Sequence, residues 1–184
     1  LGGHSDIVGG SIVIKENKEY AEKISFIQNA VGAVPSPFDC YLLTRSIKTL
    51  SVRMKQHNEN AIAVSNYLSN HPKIEKVFFP GNDKRHKEIA EKQMDGFGGM
   101  MSFVIDSDIN GVKTFLKNLN LFTLAESLGG VESLIEHPAI MTHASIDPSI
   151  REKLGISETL LRISVGIEDV DDLISDLDQA LSKI

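Results

Sequence analysis

The chain has 184 residues, of which 41% are hydrophobic and 24% charged, and a formal net charge of -6. That balance describes a globular chain with one sizeable core or two small ones and excludes intrinsic disorder. It also excludes a nucleic-acid groove, which needs a concentrated positive field, and a membrane-spanning helix, which needs a run of roughly 18 apolar residues. The first residues lack the basic-then-apolar pattern of a secretory signal, so a cytoplasmic location is the expectation. A single cysteine, Cys40, rules out an internal disulfide and fits a reducing compartment.

Taken in order, residues 7–14 alternate β-branched runs with Gly9-Gly10 and predict a buried strand with a tight bend. Residues 17–30 place Tyr20, Ile24 and Ile27 at helical spacing and predict a helix, ended by the stretch from Gly32 to Pro35. Ser36, Pro37 and Asp39 then form a helix start with a capping-box spacing. From there an apolar stripe through Leu43, Ile47, Leu50, Met54, His57, Ala61, Val64 and Leu68 predicts one helix over residues 36–70, about 50 Å long. Beyond it come a strand (76–79), a helix (84–93), a strand (99–105), a helix (111–119) and a strand (121–125), then a further helix and strand. Asp147-Pro148 begins a short helix that Gly155 can stop, residues 160–165 form a strand, and a last helix carries Val170, Leu173, Ile174, Leu177 and Leu181 on one face. This is an α/β pattern with helices against a mostly antiparallel sheet.

In Leu161-Arg162-Ile163-Ser164-Val165 the odd positions are apolar and the even ones polar, so Arg162 projects from one face of an internal strand. A guanidinium there must meet an anion, and its planar fork suits a carboxylate. On the residues alone, a protein ion pair and a ligand carboxylate both remain open. Glu126-Ser127-Leu128-Gly129-Gly130 follows a predicted strand and reads either as a Gly-rich turn or as an anion-binding turn of amides and a hydroxyl. His137 and His143 have no metal-ligand spacing, and His4-Ser5-Asp6 are chain neighbours that do not make a hydrolytic triad. The glycines at 2, 3, 9 and 10 match no nucleotide-binding pattern, Cys40 reads as a small hydrophobe, and His57 as a satisfied core histidine.

The opening Leu1-Gly2-Gly3-His4-Ser5-Asp6-Ile7-Val8-Gly9-Gly10 resembles the stretch that follows the cofactor lysine in the trans-sulfuration family of pyridoxal phosphate enzymes. The resemblance continues, in the family's order, through Ser36-Pro37-Phe38-Asp39-Cys40-Tyr41, Ile47-Lys48-Thr49-Leu50, Leu124-Ala125-Glu126-Ser127-Leu128-Gly129-Gly130, His137-Pro138, Met141-Thr142-His143-Ala144 and Leu161-Arg162-Ile163-Ser164-Val165-Gly166-Ile167-Glu168. It implies the C-terminal part of a fold-type I pyridoxal phosphate-dependent transferase. Residues 1–60 would be a remnant of the large cofactor-binding domain ending in a long connecting helix, and 61–184 a small α/β domain.

The resemblance further implies that the Schiff-base lysine and most other groups holding pyridoxal 5'-phosphate lie upstream of Leu1. No catalytic residue is then expected in the chain, and the isolated 184 residues are expected to be inactive. By the same resemblance Arg162 holds the α-carboxylate of an amino-acid substrate, and Ser127 with the backbone near Leu128 completes that cradle. Glu126 meets the second amino group of cystathionine, and Thr142 lines the active-site wall. The implied reaction is γ-elimination of cystathionine to cysteine, 2-oxobutyrate and ammonia, with the γ-replacement of the family's synthases as the alternative. The wording from Asn29 to Tyr41 is closer to the lyases. The full enzyme is expected to be a homotetramer. A reading of another class, a non-catalytic oligomerisation or amino-acid-binding module, stands beside these.

Overall fold

A computed structural model describes the backbone of residues 1–184 and every side chain except that of Arg85. The chain divides into two compact units, Leu1–Leu50 and Ser51–Ile184.

In the first unit, residues 7–14 form no strand, contrary to the sequence expectation. A strand needs neighbours for its backbone N–H and C=O groups, and no strand lies in Leu1–Leu50. Val8, Ile12 and Val13 are accordingly 89%, 74% and 92% exposed. Helix α1 (Lys18–Val31) starts where Asn17 accepts the Tyr20 N–H and stops at Gly32, whose φ of 74° is the left-handed conformation that glycine adopts without strain. Helix α2 (Pro37–Ile47) is capped by Ser36, which accepts the Asp39 N–H at 3.1 Å.

The helix expected to run unbroken over 36–70 stops at Ile47, and α3 (Leu50–Ser69) follows. The Thr49 amide and hydroxyl both donate to the Ser46 carbonyl at 3.1 Å, and the Lys48 N–H donates to the Arg45 carbonyl at 3.3 Å. These three-residue spacings replace the four-residue ladder, a competition that a threonine hydroxyl promotes. An apolar stripe does not register such a local break.

Ser46 is the one buried residue of this unit. Helices in proteins draw most of their stability from a buried face. Limited proteolysis of the 184-residue chain is therefore expected to cut first within residues 1–36 while Ser51–Ile184 survives. Fragment masses locate the cuts, and early cleavage inside the sheet described next would contradict this.

The second unit is built on one sheet of β1 (Ile74–Phe78), β2 (Met100–Ile105), β3 (Thr123–Leu124), β4 (Leu134–Glu136) and β5 (Leu160–Ser164), in the order β1-β2-β5-β4-β3. All neighbours are antiparallel except β3 and β4. The sequence-derived fold class, α/β with a mostly antiparallel sheet, holds. Helices α4 (Lys84–Gln93), α5 (Ile109–Asn118), α6 (Pro148–Lys153) and α7 (Val170–Leu181) complete the unit. No helix lies between β3 and β4, where one was expected; the segment has no apolar helical repeat and carries two adjacent glycines. Among the described residues no helix is long and apolar enough to cross a membrane.

The pleat sorts the sheet into two faces. Phe103, Ile105, Leu161, Ile163 and Val165 join Ala61, Val64 and Leu68 of α3, Phe115 of α5 and Leu173 and Leu177 of α7 in one core. Arg162 and Ser164, on the alternate parity of β5, point to the opposite face. Two further contacts set the strands. Asp176, on α7 and 5% exposed, accepts the N–H groups of Asn120 and Leu121 at 2.8 Å each and that of Phe122 at 3.2 Å, which anchors the entry to β3. His57 is buried, and its Nδ1 donates to the Val165 carbonyl at 2.7 Å.

Candidate active site

Arg162 stands on the central strand, directly opposite Ser102 of β2 on one side and Glu136 of β4 on the other. Its Nη1 lies 2.7 Å from Glu136 Oε2, with the Arg162 side chain 23% exposed and that of Glu136 1%. Opposed residues of neighbouring strands are close enough for such a pair, and burial makes it obligatory, since a lone buried carboxylate is strongly destabilising. Nη2 of Arg162 donates to the Glu126 carbonyl at 2.7 Å. Two residues along the same face, the Ser164 hydroxyl accepts the Gly129 N–H at 2.8 Å. Strand β5 thus grips both ends of the 126–129 turn, and Gly129 closes it at a φ of 77° that a side chain would strain.

Between those two anchors Ser127 and Leu128 face solvent, and among the described residues neither the Ser127 hydroxyl nor the Leu128 amide has a protein partner. The Glu126 side chain is likewise exposed. Arg162 is therefore brought together with Glu126, Ser127 and Leu128, from which it is distant in sequence. Thr142 joins them through Glu136: its hydroxyl donates to Glu136 Oε1. With that proton committed, the hydroxyl accepts from His143 Nδ1 at 2.8 Å. Glu136 is the residue that sequence reasoning missed. Arg162 demanded an anion, but the signal for this partner was only a carboxylate closing the short apolar run Leu134-Ile135.

Hydrogen bonds and close backbone packing tie the frame around the site together. Ser133 donates its N–H to Glu168 Oε1 at 2.6 Å and its hydroxyl to Oε2 at 2.9 Å, while that hydroxyl accepts the Gly166 N–H at 2.8 Å. A Cβ at Gly166 would come within 2.3 Å of the Val131 carbonyl, so only glycine lets the chain beyond β5 close against the chain before β4. His137 is fully buried and its Nε2 donates to the Glu158 carbonyl at 2.8 Å. Burial pushes the His137 pKa below the ordinary histidine value, against the raising influence of Glu158, which leaves a neutral ring. His4 binds the Gly2 carbonyl at 2.8 Å, Cys40 is exposed, and among the described residues no group of three or more His, Cys, Asp or Glu is placed to hold a metal.

A family model described as Cys/Met metabolism PLP-dependent enzyme matches residues 1–182. The chain belongs to this family. It is 54% identical to a cystathionine gamma-lyase of Dictyostelium discoideum over 100% of its own length and 47% of the relative's. With a cystathionine beta-lyase of Coxiella burnetii it shares 52% identity, covering 98% of this chain and 47% of that one. A solved cystathionine gamma synthase of Xanthomonas oryzae pv. oryzae, in complex with cystathionine, superposes with a TM-score of 0.91 at 45% identity, covering 99% of this chain and 47% of that one. A cystathionine gamma-lyase of Lactobacillus plantarum, complexed with L-serine, gives 0.90 at 45% identity, covering 100% and 48%. The chain spans about half the length of the relatives it matches.

The Cys/Met metabolism family implies pyridoxal phosphate, whose chemistry begins on a lysine amine held away from water. The lysines of this chain do not fit that task. All but Lys73 are exposed, and the Lys73 ammonium donates to the carbonyls of Leu181, at 2.9 Å, and Ile184. The donor set around Arg162 suits an organic anion instead: a guanidinium, and a hydroxyl and an amide in the exposed turn it anchors.

Proposed function

We propose that this chain carries the substrate-carboxylate side of a pyridoxal phosphate-dependent carbon-sulfur lyase that cleaves cystathionine by γ-elimination to cysteine, 2-oxobutyrate and ammonia. The observation that carries the reading is Arg162, fixed on the face of β5 opposite the core beside the Ser127 hydroxyl and Leu128 amide, which have no protein partner among the described residues. The guanidinium N–H groups beyond its contacts with Glu136 and Glu126 receive the α-carboxylate, and Ser127 and Leu128 complete the cradle. The exposed Glu126 carboxylate meets the distal ammonium of cystathionine, and Thr142 lines the wall. Held by its carboxylate, the substrate keeps one bond at Cα aligned for cleavage, a gain in orientation. When bound, the cofactor would supply an electron sink for the substrate's Cα chemistry. In this reading residues 1–60 belong to the large domain and 61–184 to the small one.

The identity of the keto acid tests the reaction. The holoenzyme containing this chain, given cystathionine alone, is expected to release 2-oxobutyrate and cysteine in equal amounts. Pyruvate with homocysteine would replace the γ-elimination reading with β-elimination. Formation of cystathionine from cysteine and an activated homoserine ester, without keto acid, would replace it with γ-replacement. The purified 184 residues by themselves are expected to give no keto acid, because no lysine among the described residues fits the cofactor.

A further inference from the structure

We infer that Glu136 is a positioning residue for carboxylate recognition by Arg162, held in place in turn by Thr142 and His143. The inference rests on the carboxylate reading above and adds the device that makes it work. An arginine side chain is long and rotamer-rich, and its fork recognises a carboxylate only when its plane is preset. Glu136 is directly opposite on β4, nearly inaccessible to water, and touches Nη1 at 2.7 Å. That contact lies off the N–H axis, since Oε2 makes no aligned hydrogen bond. It restrains the guanidinium by charge while leaving its N–H directions available.

The other oxygen of Glu136 is not idle: Oε1 takes the Thr142 proton, and His143 Nδ1 donates to Thr142. A hydroxyl has one proton to give, so this order fixes the direction of the chain from His143 through Thr142 to Glu136, where it ends against the Arg162 cation. Support of this kind is what holds a binding group within reach of its productive geometry.

Two effects of Glu136 oppose each other. Its charge lowers the positive potential that attracts a substrate carboxylate, whereas its restraint removes the ordering cost of the arginine. The positioning role requires the second to win. The test uses the holoenzyme containing this chain and two probes: L-serine, which carries an α-carboxylate, and ethanolamine, which is the same amine without it. Binding is followed by cofactor absorbance. E136A is expected to weaken L-serine by about tenfold to a hundredfold, the scale of one charge-assisted hydrogen bond, and to leave ethanolamine within about twofold. E136Q, which keeps the size of the side chain and one acceptor oxygen but neither the charge nor the second acceptor, is expected to recover only part of the loss.

Tighter L-serine binding in E136A, or an equal loss for both probes, would overturn the positioning role. R162K separates the two levels: unchanged L-serine affinity there overturns the carboxylate reading itself, while a loss in R162K without one in E136A overturns the positioning role alone. If E136A does not fold, T142V carries the test by releasing Oε1 without removing the carboxylate; selective weakening of L-serine is expected, and unchanged affinity refutes the inference.

Discussion

On the proposed carboxylate reading, replacing Arg162 with lysine is expected to lower kcat/KM for cystathionine by about a hundredfold or more in the holoenzyme, the loss of about 3 kcal/mol of charge-assisted, geometrically matched binding. Lysine preserves the positive charge beside Glu136 but offers a compact ammonium on a flexible stem, which cannot hold Glu136, the Glu126 carbonyl and a substrate carboxylate in one plane. Because the charge is kept, the buried Glu136 carboxylate retains a counterion and the fold should survive. R162M provides the contrast. It strands Glu136, 1% exposed, without a cation, and a broken buried pair typically costs about 3–5 kcal/mol. Steady-state kinetics and a thermal melt on both variants check the pair of expectations. An R162K enzyme within about threefold of the parent in kcat/KM would remove the basis for the carboxylate assignment.

The second large effect is structural and lies at Asp176. D176A should cost about 2–5 kcal/mol in chemical denaturation, because three backbone N–H groups and the Gln179 side-chain amide lose a shared, largely buried acceptor. The effect should also depend on pH. Burial is the largest single influence on Asp176 and would raise its pKa, but the N–H groups of Leu121, Asn120 and Phe122 together with Gln179 outweigh it, and the carboxyl is held below the ordinary aspartate value. A lowered folded-state pKa means that the unfolded chain binds more protons. The stabilisation is therefore fully present above the unfolded-state value, about 4, and is lost as the pH falls through the lower folded-state value. The stability difference between parent and D176A should be greatest near neutrality and shrink in acid below about pH 4. A difference that stays constant from neutrality into that acid range would contradict the ionic anchor.

Family membership was more legible in this sequence than the site's internal wiring. The motif blocks pointed to the pyridoxal phosphate enzymes of cysteine and methionine metabolism, and the family match over residues 1–182 agrees. Such blocks are short and linear, so they can be recognised without knowing which distant residues they meet. The same is true of helix starts: Asn17, Ser36, Asp147 and Asp169 each accept an N–H two or three residues on. A cap is written within four residues, so it can be read without the fold. The parity of β5 was equally local, and it placed Arg162 opposite the apolar residues that enter the core.

What failed or was missing depended on partners distant along the chain. The β-branched run in residues 7–14 carries the propensity of a strand but has none beside it to complete its hydrogen bonds. The stripe over 36–70 is continuous in hydrophobicity, yet the Thr49 hydroxyl and amide break the helix at the Ser46 carbonyl, a competition that an apolar pattern does not record. Glu136 shows the same limit at the site. Sequence alone established that Arg162 needed an anion and left open which one. Only the antiparallel register of β4 against β5 decided that a buried protein carboxylate stands opposite it, because a strand pairing joins residues whose separation along the chain carries no signal of their contact.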